Sequence, residues 1–164
     1  MLLRRADYLT RPWRNGGGVS HEIAWQEGED WRLGLAEIDR DGPFSDYRGF
    51  DRTLTVAQGS GLWLSDHALG AAPHSFDGAE PVQARVTRGP LVVVNAITRQ
   101  GRCRHEVRRL PAAGSIEGVD FIVALTGEVE AGEHRLACLD TLRLDGKAVA
   151  LSGAEILAIR FVPA

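Results

Sequence analysis

Gly49-Phe50-Asp51-Arg52-Thr53-Leu54-Thr55-Val56 and Gly118-Val119-Asp120-Phe121-Ile122-Val123-Ala124-Leu125 share a Gly-x-Asp start ahead of an apolar run. The first runs on into Gln58-Gly59-Ser60-Gly61 and the second into Thr126-Gly127-Glu128-Val129, the pattern of a strand turning into its hairpin partner. A faint repeat of this kind favours two similar sandwiches or barrels packed together, because a duplicated β unit can hide its edge strands against its twin.

The rest of the chain agrees. Its 19 glycines and seven prolines cut it into short apolar segments at intervals that favour strands over helices. Strands are expected at 20–25, 31–39, 52–58, 61–64, 82–87, 91–98, 104–110, 120–126, 128–131, 134–141 and 155–161. In Trp31-Arg32-Leu33-Gly34-Leu35-Ala36-Glu37-Ile38-Asp39, alternation holds through Leu35 and fails at Ala36 and Ile38, which calls for a bulge or for burial on both faces. The expectation is one all-β domain over residues 1–164. Its N-terminal half covers about 1–110, and its C-terminal half, about 111–164, takes up an N-terminal strand by exchange.

Composition narrows the function classes. A chain of 164 residues can bury a core without disulfides, and 44% apolar with 25% charged residues is ordinary for a globular protein. No apolar run approaches the roughly 20 residues of a membrane-spanning helix, and Met1-Leu2-Leu3-Arg4-Arg5-Ala6-Asp7-Tyr8 reaches charge too early for a secretory signal. A cytoplasmic protein without a membrane partner is expected. Cys103 and Cys138 have no metal-ligand spacing and suit a reducing compartment. A net charge of −3 argues against a nucleic-acid partner, and Arg85, Arg88, Arg99, Arg102, Arg104, Arg108 and Arg109 read as a solvated face.

Three stretches could carry chemistry. Pro12-Trp13-Arg14-Asn15-Gly16-Gly17-Gly18 sets an aromatic, a cation and an amide before three residues without side chains. Its glycines allow a ligand close to backbone N–H groups, Trp13 can wall a pocket, and Asn15 can both donate and accept; the plain alternative is a flexible turn. The stretch lacks the strand-loop-helix setting of a phosphate loop. Next, 39–52 mixes turn formers, aromatics including Phe44, and both charge signs, as an ordered loop would. Arg52, at the start of an apolar strand, could point inward and grip a carboxylate with two hydrogen bonds, or could pair with Asp51 or Asp41. Third, Asn95 and Thr98 interrupt Val92-Val93-Val94-Asn95-Ala96-Ile97-Thr98-Arg99, and buried polar groups demand partners, in the backbone or in a ligand. The five histidines, His21, His67, His74, His105 and His134, show no His-x-His pair, so no metal or other cofactor is expected; His21 beside Glu22 is the best single candidate. No Ser or Cys lies in a nucleophile elbow.

At Pro12 to Gly18, Trp31 to Asp39, Asp41-Gly42-Pro43-Phe44-Ser45, Gly49 to Leu54, Phe76-Asp77-Gly78 and Asn95 to Arg99, the chain resembles the HutD/Ves family over nearly its whole length. The resemblance implies a bicupin fold, two fused cupin-like halves, with a pocket in the N-terminal half. For the HutD branch it implies a link to bacterial histidine utilisation and ligands such as urocanate or formylated glutamate; for the Ves branch, a stress or cold response. Family members commonly carry Lys at the position of Arg14 and Thr at that of Ser20. The resulting ligand-binding candidates are Trp13, Arg14, Asn15, Gly16, Gly17, Phe44, Arg52, Asn95 and Thr98.

Three functions stand open. The first is a binder that senses or buffers a small anionic metabolite, a carboxylate of histidine breakdown. The second is a metal-independent isomerase or hydrolase using His21, Glu22 or Asp51 as general base beside Arg52. The third is an interaction module that docks a partner protein or a second copy, as a homodimer, through exposed Trp25 or Trp63.

Overall fold

The computed structural model describes every residue except Asn15. Among the described residues one 3-10 turn, Arg5–Asp7, is the only helical element, and no helix is long and apolar enough to cross a membrane. The chain divides into two compact units, Leu9–Arg104 with Ala164, and Met1–Tyr8 with His105–Pro163.

Strand β1 (Leu2–Leu3) belongs to the smaller unit. The larger unit then runs through β2 (Leu9–Pro12), β3 (Gly18–Trp25), β4 (Trp31–Ile38), β5 (Gly42–Pro43) and β6 (Phe50–Gln58). It continues with β7 (Leu62–Leu64), β8 (His67–Ala68), β9 (His74–Asp77), β10 (Gln83–Val86) and β11 (Leu91–Arg99). One sheet is ordered β2-β3-β4-β11-β6-β9 and the other β5-β10-β7-β8. Ala36, Ile38, Leu54, Leu91 and Val93 of the first sheet and Leu62, Leu64 and Ala84 of the second join one apolar cluster. The short strands β2, β5, β8 and β9 escape a reading of periodicity because two to four residues hold no period to count.

Strand β4, between β3 and β11, explains the broken alternation of 31–39. Ala36 and Ile38 face Val93 and Leu91 across the ladder on the cluster side, whereas Leu33 and Leu35 face Ala96 and Val94 on the other. All four are buried, so both faces of the strand are covered. The bulge is next door in β3, where Glu22 faces Gly34 and Ala24 faces Leu33, leaving Ile23 as the extra residue.

The smaller unit comprises β12 (Cys103–Ile116), β13 (Phe121–Ala124), β14 (Val129–Ala131), β15 (His134–Leu136), β16 (Thr141–Arg143) and β17 (Val149–Pro163). Its sheet is ordered β1-β16-β13-β17-β14-β15, with β12 also on β17, around an apolar cluster that includes Ile122, Val129, Leu136, Leu142 and Ile156. The single strand expected at 134–141 is two, because the chain turns at Ala137–Asp140, where the Asp140 N–H donates to the Ala137 carbonyl at 3.0 Å and Leu139 takes φ 69°. That turn buries the Asp140 carboxylate, which accepts from Arg4 Nη1 at 2.7 Å, the Arg5 N–H at 2.8 Å and the Ala137 N–H at 3.0 Å. Together with the β1–β16 pairing, these bonds hold the N-terminal segment in this unit.

Candidate functional site

Strand parity decides which side chains of the larger unit share a space. On β11, Val93 and Asn95 point to the cluster side, opposite Ala36 and Gly34 on β4 and Val56 and Leu54 on β6. Arg52, opposite Ile97, is on the same face. On β3, Ser20 faces Ala36 and joins them. These side chains floor a cavity of about 340 Å³, walled by Pro12, Trp13 and Arg14 on one side and by Pro43, Phe44, Ser45 and Tyr47 on the other.

The Trp13 wall is built by backbone economy. The Trp13 N–H donates to the Gly18 carbonyl at 2.9 Å, closing the turn between β2 and β3. A Cβ on Gly18 would come within 3.1 Å of the indole carbons and would strike the Glu37 carbonyl, so only glycine lets the ring lie there. The indole N–H then donates to Ser20 Oγ at 2.7 Å, and the ring meets Phe44 edge to face, 6.3 Å between centroids.

The opposite wall depends on Gly78. The Tyr47 N–H donates to the Gly78 carbonyl at 2.9 Å, and the Gly78 N–H donates to the Phe50 carbonyl at 2.7 Å. A Cβ at Gly78 would lie 2.6 Å from the Phe50 carbonyl oxygen and 2.8 Å from Tyr47 Cβ, and would also strike the Tyr47 carbonyl. The loop therefore closes onto a residue with no side chain, which sets Tyr47 over the cavity.

Arg52 is the centre of the electrostatics. It is 6% exposed, and its guanidinium carbon sits 4.8 Å from the Tyr47 ring centre and 5.2 Å from those of Phe44 and Phe76. Burial pulls it down to about 10, which leaves it protonated at neutral pH. Its Nε is buried without a hydrogen-bond partner among the described residues. The pairings the sequence offered do not form: Asp51 accepts the Gln100 amide at 2.9 Å, and Asp41 accepts the Val86 N–H at 2.7 Å. Three aromatic faces stabilise the cation by stacking, and none of them neutralises it.

The structure thus brings Trp13, Arg14, Phe44, Arg52 and Asn95 together on one cavity, and separates others from it. Thr98 is three residues from Asn95, so the two-residue period turns it to the opposite face, where it pairs with Trp31 and Asp51 and is fully buried. Gly16 and Gly17 lie in the turn outside the lining, and Asn15 lies outside the described residues. His21 and Asp51 also face away from the cavity. His21 Nδ1 is 2.9 Å from Thr10 Oγ1 and its Nε2 is 3.2 Å from Glu37 Oε2. Glu22, 3.6 Å from both Arg11 and Arg32, is not on the lining. Ser20, Ser45 and Tyr47 are lining residues that the sequence reading did not select. Parity with Gly18 could have found Ser20, whereas nothing local separates Tyr47 from the other aromatics of its loop.

Among the described residues the lining has no carboxylate and no histidine, and no three His, Cys, Asp or Glu side chains converge to hold a metal. Its ionic groups are Arg14 and Arg52, and its hydrogen-bonding groups include Ser20, Ser45, Tyr47 and Asn95. Such a set can hold an anion by charge and shape. Elsewhere, His67 and His74 stack at 4.3 Å beside Phe76, and burial together with His67 lowers His74 below its usual range. The arginines expected on a solvated face are partly engaged, Arg85 over Trp63 at 4.8 Å and Arg99 over Phe50 at 4.8 Å.

Comparison with known proteins adds the family. The HutD profile matches residues 5–159. An uncharacterized 21.2 kDa protein of the hutC 3′ region of Pseudomonas putida is 32% identical, covering 88% of this chain and 86% of the relative. Protein Ves of Citrobacter koseri is 31% identical, covering 68% and 66% respectively. The structure of HutD from Pseudomonas fluorescens SBW25, in a formate condition, superposes with a TM-score of 0.87 at 27% identity, over 100% of this chain and 98% of that one. A cupin 2 conserved barrel domain protein from Leptotrichia buccalis, at 10% identity over 90% and 89%, gives a TM-score of 0.58 and places the fold among cupin-like barrels.

Proposed function

The chain belongs to the HutD family, and from that membership we propose that the cavity of its larger unit binds a small carboxylate, as a receptor or buffer in the cytoplasm. The observation that carries this reading is Arg52, a nearly buried guanidinium caged by three aromatic rings and facing no carboxylate among the described residues. An unpaired buried cation costs several kcal/mol, and a carboxylate supplies both the missing charge and two parallel acceptors for the guanidinium edge. Arg14 adds a second positive charge at the same cavity. The catalytic alternative lacks comparable support, since its base candidates His21, Glu22 and Asp51 are not on the lining.

The Pseudomonas putida relative is described by its place beside hutC, and the Pseudomonas fluorescens structure is a HutD. Carboxylates of histidine breakdown, urocanate and formylglutamate, are therefore the first ligands to try. We also read the two units, each with its own sheet and apolar cluster, as the two cupin-like halves of a bicupin. Isothermal titration with formate, acetate, urocanate and formylglutamate tests the binding function. Saturable binding by at least one of them is expected, weakened tenfold or more in Arg52→Gln. Absence of heat with every carboxylate, or equal affinity in the variant, overturns it.

A further inference from the structure

The cavity holds a second unsatisfied polar group of the opposite kind. Asn95 sits mid-strand on β11, where its same-face neighbours Val93 and Ile97 are buried hydrophobics. Its side-chain oxygen is buried on the cavity wall without a hydrogen-bond partner among the described residues. A buried acceptor left unmade costs about 1–3 kcal/mol, and a valine would avoid that cost at this position, which is a reason to look for a partner that enters the cavity. Arg52 pairs with Ile97 and Asn95 with Leu54, which makes the two positions diagonal neighbours on one face, about 7–8 Å apart at the backbone.

The two groups ask for different chemistry. The guanidinium takes an anion, and the amide oxygen takes an N–H or O–H. Ser20 sides with the guanidinium: its Oγ already accepts the Trp13 indole N–H at 2.7 Å, so its own proton is left to donate. At about 340 Å³ the cavity is at the small end of ligand pockets, which favours one compact molecule touching both ends.

We propose that the cavity selects carboxylates that carry an N–H or O–H donor a few bonds from the carboxylate, with Arg52 and the Ser20 hydroxyl on the carboxylate and the Asn95 oxygen on the donor. This rests on the carboxylate reading and adds a specificity that charge alone does not give. Ligands with charge but no donor leave the Asn95 oxygen unmade and bind more weakly.

The test is calorimetry on the full chain with matched probes: propanoate, 3-hydroxypropanoate and 3-methoxypropanoate, and the butanoate series with its substituents at carbon 4. In at least one series the hydroxy acid is expected to bind tenfold or more tighter than its parent, and the methoxy acid no tighter than the parent. Asn95→Val, which suits a buried strand, removes the preference, so that the hydroxy acid binds no tighter than its parent. Equal affinity of hydroxy and parent acids in the wild type overturns the inference without needing any variant, as does a preference that survives Asn95→Val in a folded protein. Binding of the parent acids that is lost in Arg52→Gln, with no donor preference, leaves the carboxylate reading standing alone. No Arg52-dependent binding of any probe overturns both.

Discussion

Arg52 and His74 are neighbours through Phe76, whose ring stands 5.2 Å from the guanidinium carbon and 5.8 Å from the imidazole. Both are basic groups withdrawn from water to different degrees, and burial is the leading cause that lowers each. They differ in where this matters. Arg52 stays charged across the physiological range, whereas the downward shift of His74 favours its neutral form. The charged groups facing His74 are His67, which lowers it further, and Glu80, which raises it. Because the folded protein binds this proton less readily than the unfolded chain, whose histidine titrates near 6.5, stability is complete above that pH and declines as pH falls below it. Thermal denaturation from pH 7.5 to 5 is therefore expected to show a steeper fall in Tm for the wild type than for His74→Phe, which keeps the stack and removes the proton site. Parallel curves for the two proteins would dismiss the histidine pair as a source of acid sensitivity.

At the scale of elements, the cavity is made by two turns that fold onto glycines. Strands β3 and β6 supply Ser20 and Arg52 from regular ladders, but the Trp13 and Tyr47 walls arise from loops whose shape depends on Gly18 and Gly78. Gly78→Ala places a methyl group against the Tyr47 and Phe50 carbonyls and disturbs the hydrogen bonds from the Tyr47 N–H to the Gly78 carbonyl and from the Gly78 N–H to the Phe50 carbonyl. The expected outcome is a carboxylate affinity reduced fivefold or more, with far-ultraviolet circular dichroism unchanged, since the displaced segment lies outside the sheets. An unaltered Kd in Gly78→Ala would show that Tyr47 has no part in binding. The same scale explains Thr98. Asn95 and Thr98 look alike as polar interruptions of an apolar strand, but an odd separation on a strand puts them on opposite faces, a distinction legible from spacing alone.

At the scale of the molecule, the N-terminal segment and the C-terminal strands form one unit, and the cavity lined by Arg52 lies wholly in the other. Tyr8 is the last residue of that segment, and its buried hydroxyl is 2.8 Å from the Leu139 carbonyl and 2.7 Å from Thr141 Oγ1. Burial raises the phenol well above its ordinary 10, so the folded protein keeps a proton that the unfolded chain loses as pH passes 10. This contribution to stability is full below pH 10 and is lost as pH rises beyond it. Tyr8→Phe should cost about 1–3 kcal/mol in urea unfolding at pH 8, by leaving the Thr141 hydroxyl and the Leu139 carbonyl without their partner, and should lose less between pH 9 and 11 than the wild type does. Equal alkaline losses would contradict this assignment.

By itself the sequence determined the all-β class, most strand positions, the family, and the stretches from which Trp13, Arg14, Phe44, Arg52 and Asn95 come. These are local properties, written in periodicity, glycine placement and residue type. Only the tertiary structure decided that Arg52 is left without a carboxylate among the described residues and that Tyr47 and Phe76 cage it. Whether a charge is paired, and which rings surround it, depends on segments that meet across tens of residues of chain, and spacing along the sequence does not encode that meeting.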